Sequence, residues 1–381
     1  MIYLDNNATT PVDPQVRKAM LPYLGEKFGN PSSPHAAGRT ARAAVERARA
    51  QVGDLLGAAA ESVVFTSGGT ESINTAVRGA LAAQPGKRHI VTSTIEHSAT
   101  KNLCKQLERE GYEVTWVGVD AGGQPDLGEY QRALRSDTAL VTLVWANNET
   151  GVLLPVVEMA RLADERRIVF HTDAVQAAGK IAIDLDRGPV HLLSISAHKF
   201  HGPKGAGALY VRPGMGLPPL LFGGGQERGR RAGTENVPGI VGMGAAAELA
   251  RVALPGEMPR VAAMRDVFEA ALRERFAGVK FHGDPAQRLP NTSNFALPGL
   301  EAHDLLAGLD RLEVACSIGS ACSSGSPDAS HVLRAMGVPD EEARSSLRVS
   351  FSRMNKPEEA LRTIEALAAA VERLAPDGLG D

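Results

Sequence analysis

Several short segments of this chain set reactive or anion-binding side chains just beyond apolar, β-branched runs. In Ser194-Ile195-Ser196-Ala197-His198-Lys199-Phe200-His201-Gly202-Pro203-Lys204-Gly205, an apolar stretch runs into small, polar and basic residues and then a Gly/Pro turn. A lysine just past the carboxyl end of a sheet strand stands where open α/β sheets form their ligand crevice. Its amine adds to carbonyl groups as a Schiff base once its pKa is lowered. Ser196 and His198 beside it would be phosphate donors. A solvated lysine in a turn is the competing explanation.

Other segments have matching character. Phe65-Thr66-Ser67-Gly68-Gly69-Thr70-Glu71-Ser72 leaves a strand and opens a helix, where backbone N–H groups and the helix N-terminus favour an anion. It is neither a P-loop nor a GxGxxG fingerprint, and an ordinary strand-to-helix turn would look the same. Asp173, at the end of Val169-Phe170-His171-Thr172, would be a costly buried carboxylate unless it meets a cation such as a pyridinium nitrogen. A helix N-cap would explain it as well. His97 follows another strand end; its ring could stack on a planar cofactor and exchange protons, or simply pack or cap a helix. Arg348 points away from the Leu347, Val349 and Phe351 face of its strand. It could clamp a carboxylate with two hydrogen bonds or sit exposed on the sheet. The segment Cys316–Pro327 is almost all Gly, Ser and Ala, a composition that suits a mobile loop. A cysteine there is a plausible nucleophile, whereas Cys104, inside a helical pattern, reads as a small buried hydrophobe.

The elements that must position these residues alternate. Strands are expected at Ser62–Thr66, His89–Ser93, Glu113–Val117, Leu140–Trp145, Ile168–Thr172, His191–Ser196 and Ala206–Val211. Helical spacing fills Ala36–Leu56, Glu71–Leu81, Ala99–Arg109 and Pro155–Glu165. This is an α/β fold with a mostly parallel, seven-stranded sheet flanked by helices. The Gly/Pro/Arg-rich stretch Leu217–Pro238 breaks the pattern. Two helices then follow, near Gly239–Ala253 and Met258–Arg275, with later strands at Val279–His282, Thr292–Ala296 and Leu347–Ser352 and helices at Ala302–Leu309 and Pro357–Leu374. The expected division is a large domain at 14–255 and a smaller α+β domain made of 1–13 and 256–381.

Composition narrows the function classes. The 381 residues carry 41 Lys+Arg against 44 Asp+Glu, so no basic face for nucleic acid is implied. At 43% hydrophobic residues there is ample surface to bury. Three cysteines (Cys104, Cys316, Cys322) cannot pair completely, and no CxxC or Cys/His zinc spacing occurs. No metal is expected. Neither a signal peptide nor an 18-residue apolar run stands out, so a reduced, cytoplasmic protein without a membrane span is expected.

Taken together, an anion loop, a strand-end histidine, a strand-end aspartate and a Schiff-base lysine are the parts of a pyridoxal phosphate site. The chain closely resembles the cysteine desulfurases of the NifS/IscS type, within the class V aminotransferase-like, fold-type I pyridoxal phosphate enzymes. The resemblance runs nearly end to end. It takes in YLDNNATTP at Tyr3–Pro11, GNPSSPH at Gly29–His35, TSGGTES at Thr66–Ser72, EHSA at Glu96–Ala99 and NNETG at Asn147–Gly151. It continues through HTDAVQ at His171–Gln176, SAHKFHGPKG at Ser196–Gly205, GGGQERGRRAGTEN at Gly223–Asn236, GSACSSGS at Gly319–Ser326 and LRVSF at Leu347–Phe351.

The resemblance implies roles residue by residue. Lys199 would hold pyridoxal 5'-phosphate covalently, Asp173 would pair with its ring nitrogen, Gln176 would bond its ring oxygen and His97 would stack on the ring. Gly69, Thr70, Ser196 and His198 would bind the phosphate, and Thr234 the phosphate in a neighbouring subunit, making a homodimer. Asn148 and Arg348, with Asn30, would receive L-cysteine. Lys199 would then remove the substrate's α-proton, Cys322 would take the sulfur as a persulfide, and L-alanine would leave. The sulfur would go on to an acceptor such as an iron–sulfur cluster scaffold or a sulfur carrier. A selenocysteine lyase or a class V aminotransferase on the same fold is the alternative, and a non-catalytic scaffold using the same sheet is a third. The chain departs from the family pattern at Cys316 and Ile318, where small residues are usual, and at Arg230 and Ala232. None of these removes a catalytic group. They bear on the cysteine loop and on partner choice.

Overall fold

The computed structural model of the chain describes residues 1–318 and 329–374. Its main sheet has seven strands. From edge to edge they run Val63–Thr66, Gly207–Val211, Leu192–Ser196, Val169–Asp173, Thr138–Val144, His89–Ser93 and Glu113–Val117. Gly207–Val211 is antiparallel to both neighbours, and the other pairings are parallel. Thr138–Val144, Leu192–Ser196 and Gly207–Val211 are buried at every position, as strands covered on both faces must be. Polar residues inside the sheet answer one another. The His171 ring lies between Thr142 Oγ1 (2.8 Å) and Ser194 Oγ (2.9 Å) on the two adjacent strands. Burial drives its pKa down to about 3, so the ring is neutral.

The Ala36–Leu56 helix presents Ala41, Ala44, Val45, Ala48, Val52, Leu55 and Leu56 to the core at helical spacing. Gly57, at φ 58, ends it in the left-handed conformation that suits glycine. It packs on the helix Val237–Arg275 at Ala48 and Gly244, where a Cβ added at Gly244 would lie 2.5 Å from Ala48 Cα. The sequence predicts two helices between Gly239 and Arg275, but one unbroken 39-residue helix runs through Pro255 and Pro259. Proline removes a backbone donor and would normally end a helix. Here both flanks are held by packing, the first by the Ala36–Leu56 helix and the second by Val261, Met264, Phe268 and Leu272 in a separate core. By length and composition alone this helix is long and apolar enough to cross a membrane, as a core helix also can be; half of its apolar stretch is buried inside the protein.

That separate core joins Ile2 and Leu4 to residues from 261 onward. Phe268 meets Phe295 and Phe351 edge to face, with ring centres 5.7 and 5.9 Å apart. A three-stranded antiparallel sheet backs it, with Thr292–Ala296 between Lys280–Phe281 and Ser346–Ser350. From Ile2–Tyr3, paired with Val314–Ala315, the N-terminal segment crosses to the main sheet. On the way Asn6 N donates to Ser350 O (3.3 Å) and Thr10 N to His198 O (2.9 Å). That path lays Asn7 and Ala8 across the carboxyl ends of the main strands.

Candidate active site

A cleft of about 390 Å³ opens at those strand ends, within the range of small-molecule sites. One wall is an anion cradle. The Gly69–Ala82 helix begins at Gly68 with no side-chain cap, so its first turn, with Gly69 and Thr70, faces the cleft with N–H groups and partial positive charge. Glycines permit this approach. A Cβ at Gly207 would lie 2.5 Å from Gly68 Cα, and one at Gly69 would lie 2.8 Å from Val175 Cγ2. Ser196 and His198 complete the wall. The His198 Nδ1 pairs with Thr9 Oγ1 (3.1 Å), and burial, then nearby Lys199, Lys204 and Lys180, lowers its pKa to about 4. It is therefore a neutral donor at pH 7.

Other polar groups line the same cleft. Asp173 ends its strand buried, with Oδ1 accepting from Val175 N (2.9 Å). Burial raises its pKa, while His97 and Lys199 pull the other way. His97 caps the Ser98–Arg109 helix, its Nδ1 accepting from Ala99 N (3.1 Å), which leaves the ring proton on Nε2 in the neutral form. Lys199, half-buried in a short turn after its strand, donates from Nζ to Asn7 O (2.6 Å) and Ala8 O (2.8 Å). The Gln176 Nε2 donates to the same Asn7 O (2.8 Å).

Arg348 closes one end of the cleft. It is buried rather than exposed on its strand, because Nη2 meets Asp5 Oδ1 (2.6 Å) and Nη1 donates to Asn148 O (2.9 Å). Its main chain pairs with Ser317 in both directions, at 2.6 and 3.1 Å. Farther along, Ser330 Oγ donates to the buried Glu149 Oε2 (2.5 Å), and the His331 ring meets Glu96 O (3.0 Å). The chain on both sides of residues 319–328 is thus fastened to residues at the cleft, or next to them in sequence. Cys322 lies outside the described residues. Cys316 and Cys104 are buried, and burial pushes both thiols up to about 12, so neither is a ready nucleophile.

Of the residues singled out from the sequence, Gly69, Thr70, His97, Asn148, Asp173, Gln176, Ser196, His198, Lys199 and Arg348 all line this cleft. Two are not brought to it. Asn30 sits exposed in a turn, its Oδ1 accepting from Ser32 N (2.9 Å), and Thr234 is exposed in the Gly/Arg-rich segment. Sequence reasoning missed Asn7 and Ala8, which lie inside a quoted motif, and the buried Glu96 and Lys180. Among the described residues no cluster of His, Cys, Asp and Glu could hold a metal.

The donor set fits pyridoxal phosphate. The uncapped helix start with Thr70, Ser196 and neutral His198 suits a phosphate. The buried Asp173 carboxylate suits a protonated ring nitrogen. Lys199 supplies the primary amine.

Known proteins resemble this chain nearly end to end. The family described as Aminotransferase class-V matches residues 2–362. A cysteine desulfurase of Trichormus azollae is 50% identical over 374 residues, covering 98% of this chain and 94% of that protein. The cysteine desulfurase NifS of Azotobacter vinelandii is 48% identical over 374 residues, 98% of this chain and 93% of its own length. A solved NifS-like protein superposes with a TM-score of 0.92 at 36% identity, covering 98% and 99% of the two chains. The structure of SspA in complex with cysteine superposes at 0.82 and 36% identity, covering 92% and 99%. This chain belongs to the class-V aminotransferase family and, within it, to the cysteine desulfurases.

Proposed function

We propose that the chain uses pyridoxal 5'-phosphate to convert L-cysteine to L-alanine and collects the sulfur on Cys322 as a persulfide. The observation that carries this reading is the convergence of Lys199, buried Asp173 and the anion cradle in one cleft, with Arg348 at its end. Cysteine bound in the related SspA structure supports an amino-acid thiol as substrate.

Bound there, the cofactor supplies an electron sink for the substrate's α-carbon. The residues do the rest. Arg348 and Asn148 receive and orient the substrate, Arg348 matching a carboxylate. Asn30, exposed in its turn, is left out of this set. Asp173 would hold the proton on the ring nitrogen, and His97 would cover the ring. Lys199 Nζ takes the α-proton. The Cys322 thiolate attacks the substrate sulfur, so an S–S bond forms as the C–S bond breaks. The electron pair goes to the β-carbon, which takes a proton and becomes the alanine methyl, and Lys199 returns the proton it took to the α-carbon. Sulfur is oxidised and carbon reduced in the same step, so no outside oxidant is needed. A thiolate of an acceptor such as an iron–sulfur cluster scaffold or a sulfur carrier then takes the outer sulfur, and Cys322 leaves as the thiol it started as, in a reducing cytoplasm.

Thr234 lies outside the cleft of its own chain, in a segment whose Leu221 and Phe222 are exposed apolar side chains of the kind an interface covers. In a homodimer it would serve the phosphate of the second copy. The experiment is an assay of alanine and protein-bound sulfur with L-cysteine. Cys322→Ala is expected to keep the yellow colour and lose sulfur transfer. Full transfer by that variant would remove Cys322 from the mechanism.

A further inference from the structure

Lys180 has no part in the mechanism above, yet it is buried directly behind Gln176. Its Nζ donates to the Gln176 main-chain O (3.1 Å) and to the Gln176 Oε1 (2.8 Å). The two ends of a carboxamide are opposite in character: oxygen accepts and nitrogen donates. A lysine donor against one end therefore decides which way the amide faces. With Oε1 held by Lys180, Nε2 must turn the other way, where it meets Asn7 O (2.8 Å) and borders the cleft. The Asn7 carbonyl is also the acceptor of Lys199 Nζ (2.6 Å). A continuous chain thus runs from Lys180 through Gln176 to the oxygen that Lys199 shares.

We propose that Lys180 is a positioning residue of the active site, holding Gln176 with its carbonyl inward so that its N–H is offered to the cofactor's ring oxygen. This rests on the reading of the cleft as a pyridoxal phosphate site. An acid or amide at position 176 left unheld could present an acceptor to a negatively charged oxygen, which would repel it. Lys180 is also electrically part of the site. Burial and the fields of Lys199 and Arg348 favour loss of its proton, and its own field adds to those lowering His198 and His201. Its two acceptors use two of its protons, so the orientation of Gln176 survives loss of the third.

The test is a double-mutant cycle read on the absorbance of the holoenzyme against pH. The parent, Lys180→Met, Gln176→Leu and the double variant are compared by the pH midpoint of the visible chromophore at Lys199. Loss of the donor to the ring oxygen makes a proton at the Lys199 nitrogen harder to remove, so midpoints move up. Each single variant is expected to shift by about one unit, the size of one hydrogen bond to a charged group. The double variant is expected to shift no further than Gln176→Leu. Lys180→Gln keeps an N–H donor and is expected nearer the parent; it takes the place of Lys180→Met in the cycle if that variant does not fold. An unmoved midpoint in Lys180→Met, or an equal shift with and without Gln176, overturns the proposal. A parent with no borohydride-trappable chromophore at Lys199 overturns the reading of the site and the role of Lys180 with it. A normal chromophore with uncoupled midpoints overturns the role of Lys180 alone.

Discussion

Asp173 shows how much one position can carry. It ends a parallel strand, it is buried, and its main neighbour contact is a single backbone N–H at 2.9 Å. Replacing it with Asn keeps the shape and removes the charge that would hold a ring proton. Asp173→Asn is expected to lower kcat about a hundredfold, the scale of one lost electrostatic stabiliser, while cofactor still binds; steady-state assays with a cofactor titration separate the two. Glu96 makes a pH prediction. Burial raises its pKa from 4.5 to about 8, with Ser93 Oγ and Val144 N bonded to its Oε1. Between those values the folded protein holds a proton that the unfolded chain has released, so this group's contribution falls as pH rises through that window and levels off above it. Glu96→Gln carries no such charge, and its stability relative to the parent is expected to grow from about pH 5 to about pH 8 in urea melts. A gap that shrinks instead contradicts the raised pKa. Lys199, Asp173 and His97 were legible in the sequence because a strand's end marks them. Arg348 was legible as a carboxylate clamp or an exposed strand arginine, but its burial was not, since Asp5 and the Asn148 carbonyl that hold it are far away along the chain. Lys180 was hidden for the same reason: nothing local distinguishes it from a solvated lysine.

At the scale of elements, the Gly/Arg-rich segment is fastened beneath the anion cradle. The Glu227 carboxylate takes both arms of Arg49 (2.6 and 2.8 Å) and accepts from Phe65 N (2.9 Å). Glu227 and Arg228 both have positive φ, at 47° and 59°, a conformation held by these contacts rather than preferred. Arg231 pairs with Glu71 (2.8 Å), which in turn accepts from Ser67 N (2.8 Å) in the strand-to-helix turn. Glu227→Gln takes the buried carboxylate from Arg49, leaving its charge only the exposed Glu46 (3.2 Å), and is expected to cost about 3 kcal/mol in denaturant unfolding. Gly207→Ala pushes on Gly68, where no side chain can yield. It is expected to weaken cofactor binding at least tenfold (about 1.4 kcal/mol) with a smaller loss of stability, read by titrating the apoprotein. The regular strands were legible: His89–Ser93, Glu113–Val117 and Thr292–Ala296 fall where their β-branched runs end. The join across Pro255 and Pro259 was not, because tertiary packing overrides a local stop signal.

At the scale of the whole molecule, two cores meet along the N-terminal segment and the Val237–Arg275 helix. We propose a large cofactor-binding unit at 14–255 and a smaller unit of 1–13 and 256–381, the latter bearing the cysteine loop. That division follows from where the apolar runs change partner, but the helix that spans it has no sequence mark at the boundary. The proposed homodimer gives a prediction that only two chains together can satisfy. Lys199→Ala and Thr234→Asp are each expected to be nearly inactive, and mixing them under exchange is expected to restore activity, because one mixed site combines an intact Lys199 with an intact Thr234. No gain on mixing would mean that Thr234 acts within its own chain or not at all. The most direct measurement is a single turnover with one equivalent of L-cysteine, followed by amino-acid analysis and peptide mass mapping. One alanine per site, with one added sulfur atom on the Cys322 peptide, is the expected result. Cysteine recovered unchanged, or alanine formed with Cys322 unmodified, would contradict it.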